Sequence, residues 1–147
     1  MIFTKHSNVK LFSSTNSSIN CFINIITRDM NVEELREYCL SLKGTTECFP
    51  FDDMTLVLKV QGKMFALIPL STTETSISLK CDPERAIALR EEYESVIPAY
   101  HFNKKHWNTV YIDGRLTRKL ICEWIDHSYQ LVVSGLPLKL KDELSLI

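Results

Sequence analysis

One short segment of this sequence collects most of the side chains that could contact a charged ligand. Residues 100–111 read Tyr-His-Phe-Asn-Lys-Lys-His-Trp-Asn-Thr-Val-Tyr, with two lysines, two histidines, two asparagines and four aromatic rings. A core strand cannot bury adjacent lysines without partners, and an ordinary surface loop does not need so many aromatic side chains. Lysines that neutralise phosphates, beside rings that stack on bases, are typical of nucleic-acid surfaces. The segment therefore indicates a binding function.

The basic residues near this segment define the candidate contacts. Between His101 and Lys119 there are five Lys or Arg residues and a single acid, Asp113, whereas the whole chain has a formal charge of −1. We expect four cations to meet phosphates and three further side chains to contact sugar or base. The phosphate contacts are Lys104, Lys105, Arg115 and Arg118, and the others are Asn103, His106 and Trp107.

A structural interpretation of the same residues remains open. If residues 107–112 form a strand, the turns before and after it lie at opposite ends, and the basic residues need not form one patch. Trp107, Val110 and Tyr111 then belong to the core, while Asn103 and Asn108 close turns through local hydrogen bonds. In that case Lys104 and Lys105 are a solvated tip.

Other kinds of chemistry have less support. His101 and His106 are five residues apart, with no carboxylate or cysteine at ligand spacing, so we expect no metal there. Four glycines leave none for a phosphate-binding loop. His127 follows Glu123 by one helical turn and could form an acid–base pair, but a packed helix histidine is the simpler interpretation. We therefore expect no catalytic residue, no cofactor and no enzymatic activity.

The acidic residues offer a different hypothesis. Six carboxylates occur within residues 33–53, and oxygen ligands suit hard cations. They are Glu33, Glu34, Glu37, Glu47, Asp52 and Asp53. The simpler interpretation is a solvated helix face with acids placed favourably near the helix N-terminus.

The five cysteines indicate the compartment. Their number is odd, and no C-x-x-C pair occurs. We expect buried free thiols in a reducing cytoplasm. A Cys–His nucleophile would require Cys48 or Cys81 to meet a histidine in space, which the sequence gives no reason to expect.

The rest of the chain supplies elements that can position the segment. A length of 147 residues suits one domain, and no apolar run reaches the roughly 18 residues that span a bilayer. Residues 1–29 are rich in Asn, Ser and Thr and predict a poorly ordered extension, with Met30 as a plausible start. The domain then covers residues 30–138, followed by a tail at 139–147.

Periodicity and capping signals predict the order α-β-β-β-α-(β)-β-α. Helical spacing and Gly44 predict a first helix over Asn31–Lys43. The remaining elements are strands over Thr55–Val60, Lys63–Pro69 and Ser76–Cys81, a helix opening at Asp82-Pro83, an edge strand within Val96–Tyr100, a strand over Trp107–Ile112 and a helix over Thr117–Ser134. Thr45–Asp53 is expected to be a loop whose Phe49 and Phe51 plug a core edge. In the second strand, Met64, Ala66 and Ile68 should share one face.

Several of these stretches together resemble the MmcQ/YjbR family. They are Phe49-Pro50-Phe51, the junction at 79–83, the run at 100–110 and Asp126-His127-Ser128-Tyr129, and they span roughly Met30 to Leu138. The resemblance implies a CyaY-like, frataxin-like, two-layer α+β fold with helices on one face of a mainly antiparallel sheet. It also implies DNA binding through a double-wing arrangement, and it supplies no catalytic residue to transfer.

We therefore expect a non-enzymatic, cytoplasmic bacterial protein that binds DNA through a basic and aromatic wing around residues 101–107. It should be a monomer or a weak dimer without a membrane segment. Two alternatives remain: a module for a small ligand or protein partner, with Tyr100 and Trp107 as a pocket wall, and a frataxin-like weak metal binder that uses the acidic first helix.

Overall fold

The computed structural model describes residues 29–147, which form four helices and six strands. The predicted N-terminal extension therefore lies almost entirely outside the described residues. The elements are α1 (Val32–Ser41), β1 (Thr45–Cys48), β2 (Thr55–Val60), β3 (Lys63–Pro69), β4 (Ser76–Lys80), α2 (Pro83–Glu92), β5 (Val96–Pro98), β6 (Trp107–Tyr111), α3 (Arg118–Ser134) and α4 (Leu138–Leu146).

The six strands make one sheet in the order β1-β2-β3-β4-β6-β5, and every neighbouring pair is antiparallel. Alternate residues of the central strands, such as Leu58 and Ile77, are buried on one face beneath α1 and α3. Trp124 and Ile125 of α3 complete this main core. The predicted two-layer α+β fold is confirmed.

Local signals explain where the helices begin. Asn31 and Glu34 form a reciprocal capping box at the start of α1. Asp82 accepts hydrogen bonds from two N–H groups of α2, and Pro83 occupies the first helical position, where no N–H is needed. The Thr117 hydroxyl caps α3. These three helix starts agree with the sequence prediction.

The β2–β3 hairpin also agrees with the prediction at both strand boundaries. Its two turn residues, Gln61 and Gly62, have φ angles of 48° and 74°. A two-residue connection of this kind matches the twist of the flanking strands.

Two stretches are more regular than predicted. Thr45–Cys48 is the edge strand β1 and not part of a loop, because it pairs along β2 from Thr45↔Val60 to Cys48↔Val57. Residues 138–146 form helix α4 and not an irregular tail. Leu144 of α4 is buried in the main core.

The face assignment within β3 was wrong because the strand contains a β-bulge. Leu58 pairs with Ala66 but Lys59 pairs with Met64, which leaves Phe65 as the extra residue. Phe65 and Ala66 both join the main core, and Phe65 meets the Tyr129 ring edge-on at 5.5 Å. Met64 consequently lies on the opposite face.

That opposite face carries a second, smaller apolar cluster. Val57, Leu67, Ala99 and Trp107 are buried together, and Cys48, Met64 and Phe102 pack against them. Of the described elements, these residues belong to strands and to the segment after β5, with no helix contributing. We call this side the helix-free face.

Phe49 and Phe51 do not plug the core as predicted. Their side chains are 47% and 59% exposed. Within residues 29–147, no helix combines the length and apolar character that crossing a bilayer requires.

Helix α4 closes the domain against the turn after α1. The Tyr129 hydroxyl donates to the Lys43 carbonyl (2.6 Å), and Lys43 Nζ donates to the Ser145 carbonyl (3.2 Å). Gly44 has φ of 68°, and a Cβ placed there would overlap Leu144 Cδ1 unless that side chain shifted. The backbone therefore favours glycine at this position, and the packing of Leu144 adds to that preference.

Candidate nucleic-acid interface

The segment Tyr100–His106, which we call the wing, is a closed turn between β5 and β6. Asn103 Oδ1 accepts a hydrogen bond from the Lys105 N–H (3.0 Å), and the Asn103 carbonyl accepts from the N–H groups of His106 (2.9 Å) and Trp107 (3.0 Å). Asn103 thus performs the local turn-closing role expected of asparagine. Its side-chain oxygen is already engaged within the turn.

Two aromatic rings anchor the wing to the helix-free face. Trp107 is only 8% exposed, and its ring lies 5.3 Å from that of Phe102. Both belong to the cluster that includes Val57 and Leu67 of the central strands. Trp107, predicted to contact sugar or base, is therefore largely buried in this cluster, where its ring supports the wing through Phe102.

An arginine that the sequence analysis did not single out fixes the wing from the other side. Arg90 of α2 donates through Nε to Asn108 Oδ1 (2.6 Å) and through Nη2 to the Lys104 carbonyl. Asn108 is 2% exposed, and its Nδ2 donates to the Ala86 carbonyl (3.2 Å). Arg90 therefore links the helix, the buried amide and the backbone of the wing. An asparagine within an otherwise apolar strand was the available signal, because a buried amide requires partners.

The tip of the wing presents two lysines. Lys104 and Lys105 are exposed, and within residues 29–147 neither ammonium group has a carboxylate partner. Lys104 Nζ lies 4.9 Å from the centre of the Tyr100 ring, which is 67% exposed. His106 is half-buried, and its carbonyl accepts from the Cys81 N–H (2.7 Å). The charges at the tip are therefore available to an external anion.

The two predicted arginines lie elsewhere and are already paired. β6 separates them from the wing by about 13 Å or more, because a strand of five residues rises about 3.3 Å per residue. Arg115 contacts Glu94, and Arg118 Nη1 lies 3.1 Å from Glu34 Oε1. The structure thus brings Asn103, Lys104, Lys105, His106 and Trp107 together and leaves Arg115 and Arg118 at the opposite end of the sheet.

Two further lysines share the helix-free face with the wing anchors. Strand alternation places Lys59 on the same side as Val57, and Lys80 pairs directly with Trp107. The described residues of β1 to β6 put no carboxylate on this face, because Glu47 points to the other side and pairs with Arg36. Local patterns do not group these lysines, because the grouping depends on the order of the strands in the sheet.

Glu123 and His127, considered above as a possible acid–base pair, do not contact each other in a way that would support acid–base chemistry. His127 Nε2 accepts from the Asp82 N–H at 3.4 Å, and Glu123 instead pairs with Arg85 at 3.1 Å. Desolvation and the nearby Arg85 charge lower the pKa of His127. The imidazole therefore acts as a neutral acceptor near the start of α2.

The thiols are likewise in structural environments. Cys81 lines the same small cleft as His127, a cleft with room for about one water molecule. Desolvation raises the pKa of Cys81 and raises that of the buried Cys39 to about 12. Thiols with raised pKa values are poor nucleophiles at neutral pH, because the thiolate is the reactive form.

The acids of the metal hypothesis are largely engaged in ion pairs. Arg36 lies 2.8 Å from Glu33 and 2.6 Å from Glu47, and this pairing lowers the pKa of Glu47. Glu34 caps α1 and pairs with Arg118. In the part of the chain from residue 29 onward, no three His, Cys, Asp or Glu side chains are grouped closely enough to hold a metal ion.

The strand order, the helices on one face and the anchored turn between β5 and β6 define a two-layer α+β domain. The sequence matches the model of the YjbR family over residues 40–131. The chain belongs to the YjbR family.

Relatives and solved structures agree with this assignment. The uncharacterized protein YjbR of Escherichia coli K12 is 37% identical over 108 residues, which cover 74% of this chain and 92% of that protein. The uncharacterized protein YbdF of Escherichia coli O157:H7 is 36% identical over 104 residues, 71% of this chain and 85% of that protein.

The crystal structure of Deinococcus radiodurans protein DR2400 superposes with a TM-score of 0.74 at 41% identity, covering 78% of this chain and 88% of that one. A crystal structure of a Pseudomonas syringae protein gives a TM-score of 0.61 at 29% identity, covering 69% and 98%.

Proposed function

We propose that this protein is a non-enzymatic, cytoplasmic DNA-binding protein whose wing carries the primary phosphate contacts. The observation that carries the proposal is the pair Lys104 and Lys105, exposed at the tip of an anchored turn with no carboxylate partner among residues 29–147. No Asp or Glu occurs from Ser95 to Ile112. A phosphate that approaches the tip therefore meets positive charge without local repulsion.

The way the wing is fixed adds to this proposal. Flexible loops lose conformational entropy when they bind, and that loss weakens affinity. Here the Asn103 hydrogen bonds, the Phe102–Trp107 contact and the Arg90 bridge already define the backbone of the wing. Only the two lysine side chains must be ordered by the ligand.

The helix-free face extends the surface beyond the wing. Lys59 of β2 and Lys80 of β4 lie on this face, so it adds two cations to the two lysines of the wing. Hydroxyl groups of Ser78 and Thr109, which bond each other at 2.9 Å, lie on the same face. Lysines and hydroxyls are the groups that contact phosphate and sugar without reading sequence.

The proposal can be tested by fluorescence anisotropy with labelled duplex and single-stranded DNA across a salt series. Replacing both Lys104 and Lys105 by Ala removes two charges. The slope of log affinity against log salt should fall by up to about 2, because each neutralised phosphate contributes about 0.9 on duplex DNA and about 0.7 on single strands.

A matched control removes the same charge from exposed positions elsewhere. Lys119→Ala with Lys139→Ala changes two exposed lysines outside the wing. This control should retain nearly the wild-type slope. No binding at low salt, or the same slope change in both double variants, would refute the assignment of the wing.

A further inference from the structure

The β1–β2 loop presents an apolar surface that the nucleic-acid proposal does not use. Phe49 and Phe51 are 47% and 59% exposed, and Met54 and Leu70 are 47% and 38% exposed. A phenylalanine buries about 150–250 Å² when covered, so the two rings alone leave on the order of 200 Å² accessible. We call these four residues the Phe-Pro-Phe patch.

The loop that carries the patch is fixed by hydrogen bonds. The Leu70 N–H donates to the Met54 carbonyl (2.7 Å), which joins the end of β3 to the loop before β2. Asp52 closes the loop: its Oδ1 accepts from the Met54 N–H (2.8 Å) and its Oδ2 from the Thr55 hydroxyl (3.2 Å). These bonds lower the pKa of Asp52. The rings are therefore displayed by a turn with its own hydrogen bonds.

The surroundings of the patch are acidic. Asp52, Asp53 and Glu74 are exposed in the two loops that meet here. No Lys or Arg occurs in residues 44–58 or 69–79. Because antiparallel strands alternate direction, this end of the sheet is opposite to the wing. The loops that carry the patch are thus acidic and the wing is basic, while Arg115 and Arg118, which also lie at the patch end, pair with Glu94 and Glu34.

We propose that the Phe-Pro-Phe patch docks a cationic segment of a protein partner that packs an apolar anchor against the exposed rings. Exposed apolar patches of a few hundred Å² with a polar rim mark protein interaction sites. The three carboxylates set the sign of the partner's charge. The same carboxylates repel phosphate, so nucleic acids and anionic lipid surfaces do not fit this site. The proposal is independent of DNA binding by the wing.

The test uses the full chain and short fluorescein-labelled synthetic peptides. One peptide is built from Lys, Ser and Trp, a second replaces every Lys by Glu, and a third replaces every Trp by Ser. Anisotropy should show saturable binding of the first peptide and at least about tenfold weaker binding of the other two. Changes in amide chemical shift on adding the first peptide, measured in a nitrogen–proton NMR spectrum, should concentrate in residues 49–54 and 70–75.

Variants distinguish specific binding at the patch from nonspecific electrostatic or hydrophobic binding. Phe49→Ser with Phe51→Ser should weaken the first peptide at least about tenfold, and Asp53→Asn with Glu74→Gln should weaken it and flatten its salt dependence. Leu138→Ser with Leu146→Ser removes leucines that are 74% and 86% exposed elsewhere and should leave binding unchanged.

Three outcomes would overturn the proposal. They are equal binding of the acidic peptide, binding that survives the double Phe variant, and concentration-dependent self-association that the double Phe variant abolishes. The last result would show that a second copy of this chain, and not a different protein, covers the patch.

Discussion

Replacing Arg90 by Ala should loosen the wing and destabilise the fold together. The guanidinium donates to Asn108 Oδ1 at 2.6 Å and also reaches the Lys104 carbonyl. Asn108 is 2% exposed, so its oxygen would lose a charged donor in a position that water cannot easily reach. Leaving a buried acceptor unpaired costs about 1–3 kcal/mol.

The hydrogen bond from Arg90 to the Lys104 carbonyl contributes less to the free energy of folding, because Lys104 is exposed and water can replace the lost donor. A typical net hydrogen bond contributes about 0.5–1.5 kcal/mol. The combined loss is about 1.5–4.5 kcal/mol, which at roughly 3–4 °C per kcal/mol in a domain of this size lowers Tm by about 5–18 °C. Calorimetry or thermal circular dichroism measures this shift.

Hydrogen exchange tests the local part of the argument. The N–H groups of His106 and Trp107 are bonded within the wing, and their exchange should accelerate in Arg90→Ala more than exchange in the β2–β3 hairpin. Arg90→Lys keeps the charge but loses the fork, so it should resemble the Ala variant in exchange. Ile87→Ala, on the same helix and 55% exposed, serves as control. An unchanged Tm and unchanged wing exchange in Arg90→Ala would refute the bridging role.

Three further predictions concern stability. The pKa of His127 is lowered in the folded protein, so on acidification the unfolded chain takes up this proton at a higher pH than the folded chain does. The free energy of unfolding should therefore fall as pH drops below about 6.5. His127→Gln should reduce this pH dependence in urea titrations at several pH values. Gly44→Ala should cost about 1–3 kcal/mol in denaturant unfolding, because alanine is strained at this positive φ and Leu144 must shift to admit the new methyl group. Gly62→Ala, which has positive φ but nothing within 4 Å, should cost only about 1 kcal/mol. Trp107→Ala should cost about 3–5 kcal/mol if the ring is an anchor, and a loss below about 1 kcal/mol in the same assay would contradict that role.

Elements with strong local signals could be read from the sequence. The bounds of β2 and β3 follow from Gln61-Gly62, and α1 and α3 follow from their caps and apolar spacing. β1 could not be recognised, because Thr45–Cys48 is short, half-exposed and stabilised by pairing with β2. α4 begins at Leu138 after Pro137, which provides no side-chain cap, so its start has no strong signal either.

The candidate site was predictable in its location but not in its construction. The composition of residues 100–111 identified the wing, and Asn103 closes a turn as its residue type indicates. The Arg90 bridge connects residues 14 to 18 positions apart on different elements. The face of Met64 depends on a bulge that no local pattern indicated, and the grouping of Lys59 with Lys80 depends on strand order. Such features arise from tertiary packing, which periodicity does not encode.

The closure of α4 against the turn after α1 has a consequence for how the chain folds during synthesis. The bond between Lys43 and Ser145 joins residues 102 positions apart, and Gly44 and its neighbour Leu144 are almost as far apart in the sequence. Contacts between residues far apart in sequence form late and slow folding. A nascent chain can pair its early strands on the ribosome, but the turn after α1 stays uncovered until the last residues have emerged. We therefore expect ribosome-stalled chains that lack residues 138–147 to be more sensitive to protease near Gly44 than released chains.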